Sequence, residues 1–248
     1  MSARVALVSG SSRGLGAVIA RRLARDGLVV AVNGPDDDDE LAAVVSAIQA
    51  DGGVAAGFAA DVTDTASVAA LAAAVADGLG PIDILVVNAT GPQPDIPLFE
   101  TGWSDHLLQL DYFVRSPVLL GHHIVPGMQA RGYGRIVHID SEVADRPPPA
   151  RSAYATAKSA QVGLMRSWAR ELAPNGITVN AVAPGFVPVE RHADTSTEVL
   201  DAYLATVPAG RMGTPHDIAH AVSFFVSDGA AFVTGQRLVV DGGRALLP

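Results

Sequence analysis

A short β-branched run, Val5–Val8, meets a glycine-rich turn, after which Leu15, Val18, Ile19 and Leu23 recur at helical spacing up to Asp26-Gly27. The pattern predicts a strand, a tight turn and a helix. Residues 28–32 are again apolar and β-branched, 36–50 have helical composition, and 54–58 are short and apolar ahead of Asp61. The alternation continues through a helix over 65–77, a strand at 84–87, a helix over 103–131, a strand at 136–139, a helix over 152–173, a strand at 177–182, a helix over 215–227 and a strand at 238–240. Continuous apolar strands separated by helices are what a parallel sheet covered on both faces requires. The expected fold is α/β, a doubly wound parallel sheet in a single domain spanning 1–248, with its ligand crevice at the carboxyl ends of the strands.

Two segments break the rhythm. Residues 91–102 carry three prolines after the strand at 84–87, and residues 184–213 form a long excursion with a short helical piece near 198–205. Both follow strand ends, so both should overhang the crevice, where long loops usually carry function. The segment at about 185–213 is the expected substrate lid. A composition of 49% hydrophobic and 17% charged residues excludes disorder, collagen and coiled coil. The formal net charge is −9 and basic residues are nowhere concentrated, so the footprint of a nucleic-acid binder is missing. No apolar run approaches the roughly 18 residues of a membrane span. The N-terminal residues lack the apolar core of a secretory signal and the chain has no cysteine, so the expectation is a cytoplasmic protein with neither nucleic acid nor membrane as partner.

The turn from Ser9 to Gly16 places glycines at 10, 14 and 16 between a strand and a helix. Backbone can approach a phosphate closely there, and the free N–H groups of a helix start favour an anion. Tyr154 and Lys158 stand at i and i+4, on one helix face, and an ammonium beside a phenol favours the phenolate. A phenol so assisted can act as acid or base nearer neutral pH. Ser141, 13 residues before the tyrosine, can hydrogen-bond an oxygen that gains charge.

These residues carry a resemblance to the short-chain dehydrogenase/reductase family, similar to its 3-oxoacyl-carrier-protein reductase members. The glycine spacing looks like that family's T-G-x-x-x-G-x-G turn with Ser9 for Thr, Asn88-Ala89 like its N-A-G, and Tyr154 to Lys158 like its Y-x-x-x-K. Pro184-Gly185 and the closing Thr234-Gly235-Gln236 and Asp241-Gly242-Gly243 fit as well, in order over the whole chain. The resemblance implies a Rossmann fold and hydride transfer between a nicotinamide cofactor and a small carbonyl or alcohol, with Ser141, Tyr154 and Lys158 catalytic. It implies cofactor contacts from Gly10, Ser12, Arg13, Gly14, Leu15, Gly16, Asn33, Asp61, Val62, Asn88, Ala89, Tyr154, Lys158, Pro184, Gly185 and Val187. Lys158 would also hold the nicotinamide ribose and Asp61 would meet the adenine. The same resemblance implies a homotetramer joined through the helices at 103–131 and 152–173, with small residues Ala153, Ala157, Ala160 and Gly163 on the second.

Several positions depart from the family pattern. Its helix Asn falls at Phe113, with Asp111 two residues earlier, so the proton path to Lys158 must differ; Pro117 should kink that helix or mark its true start. Thr90 enlarges the N-A-G, and Val189 stands where P-G-x-x-x-T has its threonine. Glu142, Arg151, Glu190, Arg191 and His192 form polar groups near the expected crevice, suited to a substrate with polar or ionised parts or, as solvated loops, to one another. Gly34 ends the second strand where an NAD enzyme usually has an acid, and Arg13 resembles the basic residue of many NADP enzymes. The acidic run 36–39 opposes a 2′-phosphate or else simply starts a helix. The balance favours NADP(H) over NAD(H). His216 and His220 are spaced like two metal ligands, but Thr214-Pro215 marks an ordinary helix start there and no metal is expected. A non-redox isomerase or dehydratase on the same scaffold, and a nucleotide-binding protein with weakened catalysis, are the competing readings.

Overall fold

A computed structural model of the chain describes residues 3–246. Seven parallel strands form one sheet in the order β3-β2-β1-β4-β5-β6-β7, from β1 (Val5–Val8), β2 (Val29–Gly34), β3 (Val54–Ala59), β4 (Ile82–Val87), β5 (Gly134–Ile139), β6 (Ile177–Pro184) and β7 (Arg237–Val240). The order reverses between β1 and β4, whose pairing runs Ala6 to Ile84 and Val8 to Val86. A crevice therefore opens beyond the carboxyl ends of these two strands, where neighbouring connections leave to opposite faces. The central strands are apolar and buried on both sides, so helices must cover both. One core packs α1 (Gly14–Arg25), α2 (Asp39–Ala50) and α8 (Pro215–Val226) through residues such as Ile19, Ile48 and Phe225. The other packs α3 (Thr65–Gly78), α5 (Ser116–Arg131) and α6 (Ser152–Leu172) through Leu71, Leu120 and Met165. The expected single-domain, doubly wound sheet is the observed one.

Differences lie at the ends and in one helix. Strands β4 and β5 begin earlier than the apolar stretches suggest, because Asp83 and Arg135 join them with partnered side chains, and β6 runs on to Pro184. Arg135 is buried, donating to the carbonyls of Gly134 and Gly176 and stacking on the Tyr133 ring. The segment expected as one helix over 103–131 is instead α4 (Trp103–Leu110), a π-helical stretch at Asp111–Arg115, and α5. Pro117 stands in the first turn of α5 directly after the π stretch, and its missing N–H cannot continue the helical ladder there. The π stretch aims Phe113 inward, 2% exposed. In the acidic run, Asp38 caps α2 by accepting from Leu41 N at 2.9 Å, and Asp39 and Glu40 fill its first turn, the helix-start reading of that run. The excursion after β6 holds a 3₁₀ turn at Glu190–His192 and α7 (Thr197–Leu204). Ala157, expected on an outer helix face, is fully buried.

Candidate active site

The β1–α1 turn is fixed by backbone geometry. Gly10 and Gly14 have φ of +61° and +56°, conformations that L side chains rarely adopt. At Gly16 a Cβ would lie 2.2 Å from the Gly10 carbonyl oxygen and 2.5 Å from Asn88 Nδ2, so any side chain would push the turn apart. Ser9 Oγ accepts from the N–H groups of Asn88 and Ala89 at 3.0 and 3.1 Å, and Asn88 Nδ2 donates to the carbonyls of Ser9 and Gly10. The ends of β1 and β4 are stitched together by these bonds. Asn33, expected at the cofactor, is buried, with Nδ2 donating to Gly34, Phe58 and Ala60 carbonyls and Oδ1 accepting from Gly10 N. It shapes the turn rather than facing the crevice. No side chain caps α1 and its first turn holds no acid, so its leading N–H groups remain for an anionic ligand. The glycine cradle and the uncapped helix start fit the pyrophosphate of a dinucleotide.

Around that cradle, Arg13 pairs with Glu40 at 3.3 Å on the surface. Asp61 accepts from Thr63 N and Oγ1, and Val62 is buried. Ser12 is nearly buried, and a Cβ at Gly34 would meet its Cβ and Oγ at 3.0 Å, which explains the room an acid at 34 would lack. From across the crevice the Glu190 carboxylate reaches over Gly14, 3.5 Å from where a Cβ would stand.

The chemical side of the crevice gathers from distant segments. Ser141 follows β5 and its Oγ accepts from Val143 N at 3.3 Å. Tyr154 and Lys158 stand one turn apart on α6, with Lys158 Nζ 5.8 Å from the tyrosine ring centre. Burial raises the Tyr154 phenol above its ordinary range, against the lowering influence of the Ser141 hydroxyl and of Arg191 and Arg151. Lys158 is held in place by groups other than this phenol. Its ammonium is turned to other partners, donating to the Ile139 carbonyl at 2.7 Å and to Gln161 Oε1 at 3.1 Å, over the Phe113 ring at 3.8 Å. Burial brings Lys158 itself down to about 7, with Asp140 pulling the other way. Behind it Asp140 is buried against Arg237, whose guanidinium also donates to the Ser141 carbonyl and pairs with Asp145. His138 is fully buried without a hydrogen-bond partner among the described residues, and burial lowers it to about 3.

Of the polar residues expected to meet substrate, two are committed to the scaffold. Glu142 is 6% exposed, pairing with Arg244 at 2.8 Å and accepting from the Tyr203 hydroxyl at 2.8 Å. Tyr203 Oη in turn accepts from Phe186 N at 2.7 Å, tying the excursion to the end of β5. Arg151 binds Asp95 and the Gln93 carbonyl, holding the 91–102 loop. Arg191 is different. Its Nε contacts His192 Nε2 at 3.1 Å, it forms no ion pair among the described residues, and burial lowers its pKa beside Tyr154 and Arg151. Pro184 and Val187 are buried, and Gly185 lets the Tyr203 hydroxyl come within 2.5 Å of where a Cβ would stand. Gln161, Asp140, Arg237 and His138 carry no local mark in the sequence, because each joins the site only through the packing of β5, β7 and α6. Asp217 between the two helix histidines caps α8 at Thr214 and bridges to Arg211, and among the described residues no His, Cys, Asp and Glu group could hold a metal ion.

A family model described as enoyl-(acyl carrier protein) reductase matches residues 10–245. The chain is 37% identical over 249 residues to the 3-oxoacyl-(acyl-carrier-protein) reductase FabG of Vibrio cholerae, covering 100% of this chain and 99% of that one. The chain belongs to the short-chain dehydrogenase/reductase family. It is similar, at 37% identity over 97% of its length and 96% of the relative's, to the cis-4-hydroxycyclohexanecarboxylate dehydrogenase of Sinomonas cyclohexanicum. A gluconate 5-dehydrogenase from Burkholderia cenocepacia, solved in complex with NADP and tartrate, superposes with a TM-score of 0.93 at 30% identity, covering 100% of this chain and 97% of that one. As a short-chain dehydrogenase/reductase with this fold, the protein is an NAD(P)-dependent oxidoreductase acting on CH–OH and C=O groups.

Proposed function

We propose that the protein is an NADP(H)-dependent dehydrogenase/reductase whose substrate carries a carboxylate beside the reacting carbonyl or alcohol, with Tyr154 as general acid and base. The single observation that carries this reading is Arg191, which forms no ion pair among the described residues and, with the Ser141 hydroxyl, favours the ionised form of the Tyr154 phenol. A bound nicotinamide supplies or takes the hydride. Toward reduction, Tyr154 gives its proton to the substrate oxygen while the Ser141 hydroxyl donates to that oxygen as charge grows. Toward oxidation, Tyr154 takes the hydroxyl proton. Lys158 keeps a positive charge beneath the phenol, and Gly10, Gly14 and Gly16 bring the backbone close to the pyrophosphate. Arg191, without an acid of its own, offers a forked partner to a substrate carboxylate. Support for a small acidic substrate also comes from the hydroxy-acid names of two relatives.

Preference for NADP(H) rests on Arg13 beside an acid-free Gly34 whose space Ser12 occupies. The segment 185–213 serves as the substrate lid, anchored through Tyr203. The enzyme works as a homotetramer in the cytoplasm; the exposed Trp103, Leu107 and Leu108 of α4 and the small outer face of α6 at Ala160 and Gly163 suit close helix packing. The test is NADPH oxidation followed by absorbance against paired ketones that differ only in a carboxylate. Acidic members should be turned over with kcat/KM about 10-fold or more above their neutral partners, and Arg191→Ala should erase that difference. Equal rates for both series, unchanged in Arg191→Ala, contradict the substrate class.

A further inference from the structure

Lys158 is the chain's single lysine, beside sixteen arginines. It is 3% exposed, and its ammonium meets three groups on three elements, two oxygen acceptors and one ring face. The Ile139 carbonyl at the end of β5 accepts at 2.7 Å, Gln161 Oε1 on α6 accepts at 3.1 Å, and the face of Phe113 in the π stretch stands 3.8 Å away. Phe113 also sets its ring at 66° to Tyr154, 5.4 Å between centres. A ring face attracts a cation but has no lone pair to fix a proton's direction, so it serves as a lid on the charge and not as a relay. Gln161 is three residues after Lys158, on the same helix face, and 1% exposed. Among the described residues its oxygen is the one side-chain oxygen bonded to the ammonium.

We propose that Gln161 is a positioning residue of this site: its amide oxygen keeps the Lys158 ammonium charged and seated under Tyr154, a polar contact that Phe113 cannot make. The groups that face Lys158 make that contact decisive. Asp140 favours the charged form, Arg191 and Arg237 oppose it, and burial brings the lysine down to about 7. His138, also facing it from β5, is held neutral by burial, and the Tyr154 phenol is raised and so neutral in the same range. With the midpoint near neutrality, gain or loss of one acceptor changes which form dominates. The role in turnover rests on the proposed chemistry, whereas the contact itself does not.

Because the chain has one lysine, protein labelled with carbon-13 lysine gives one lysine side-chain signal, and its pH titration can be read on the free protein without substrate or cofactor. The experiment compares wild type with Gln161→Met, which keeps an unbranched chain but removes the acceptor, and with Gln161→Glu, which is isosteric and adds charge. The lysine midpoint should fall by about one pH unit in Gln161→Met and rise by about one or more in Gln161→Glu. The pH–rate profile should move in the same direction in each, with kcat changed more than the KM for NADPH. A midpoint that stays put in Gln161→Glu overturns the contact, even if Gln161→Met does not fold. A moved midpoint with an unmoved pH–rate profile overturns the role in turnover. Full activity of Tyr154→Phe together with a moved midpoint would instead defeat the proposed chemistry and leave the lysine contact standing.

Discussion

Where β1, β2 and β4 end at the crevice, Ser9, Asn33 and Asn88 commit their polar atoms to backbone groups of their neighbours. On the β5–β6 side, Ser141, Tyr154, Lys158, Gln161, Phe113 and Arg191 come from separate segments and act through side chains. The first region is a shape made by glycine, in which the ligand meets N–H groups and any added carbon collides. The second is a set of charges whose values depend on what is packed around them. One side should therefore fail abruptly when a methyl group is added, and the other should change by degrees, in pH dependence and substrate choice, when single contacts are removed.

The largest effect should come from the shaped side. Gly16→Ala places a Cβ 2.2 Å from the Gly10 carbonyl oxygen, a backbone atom with no freedom to yield. A strain of about 3 kcal/mol is expected, seen as a loss of about a hundredfold in affinity for both NADPH and NADH by calorimetry. Unchanged affinity would show that the turn relaxes and that the contrast between the two sides is false.

On the other side, Tyr203→Phe removes the acceptor of Phe186 N and a donor to Glu142 while keeping the ring. A polar group left unsatisfied costs about 1–3 kcal/mol, so the 185–213 segment should be cut faster in limited proteolysis and the substrate KM should rise about 10-fold, with cofactor affinity kept. Wild-type proteolysis would remove Tyr203 as the anchor. The smallest effect belongs to Arg13, whose exposed pair with Glu40 contributes little by itself. Arg13→Ala should weaken NADPH about 10-fold and leave NADH alone; equal weakening of both would take Arg13 from the 2′-phosphate.

The same contrast explains what could be read from the sequence. Alternating apolar strands and helices gave the sheet, and glycines at 10, 14 and 16 gave the turn, because backbone constraints leave local marks. Tyr154 and Lys158 were legible through helical spacing. The lysine's partners were not, since Ile139, Gln161 and Phe113 lie on three elements and nothing local relates them. The π stretch was missed for a similar reason: Asp111 to Arg115 has ordinary helical composition, and its extra residue shows only in the inward turn of Phe113. That Glu142 and Arg151 are held by other residues and not open to a ligand is invisible locally, because their partners Arg244, Asp95 and Gln93 are far along the chain.

The central claim, that the gathered side chains perform proton transfer while the glycine side binds, is tested most directly by Tyr154→Phe. The substitution removes one oxygen and keeps the ring against Phe113. NADPH affinity should stay within about twofold while kcat on a confirmed ketone falls by about 10²–10⁴-fold. Near-normal turnover by Tyr154→Phe would contradict the account.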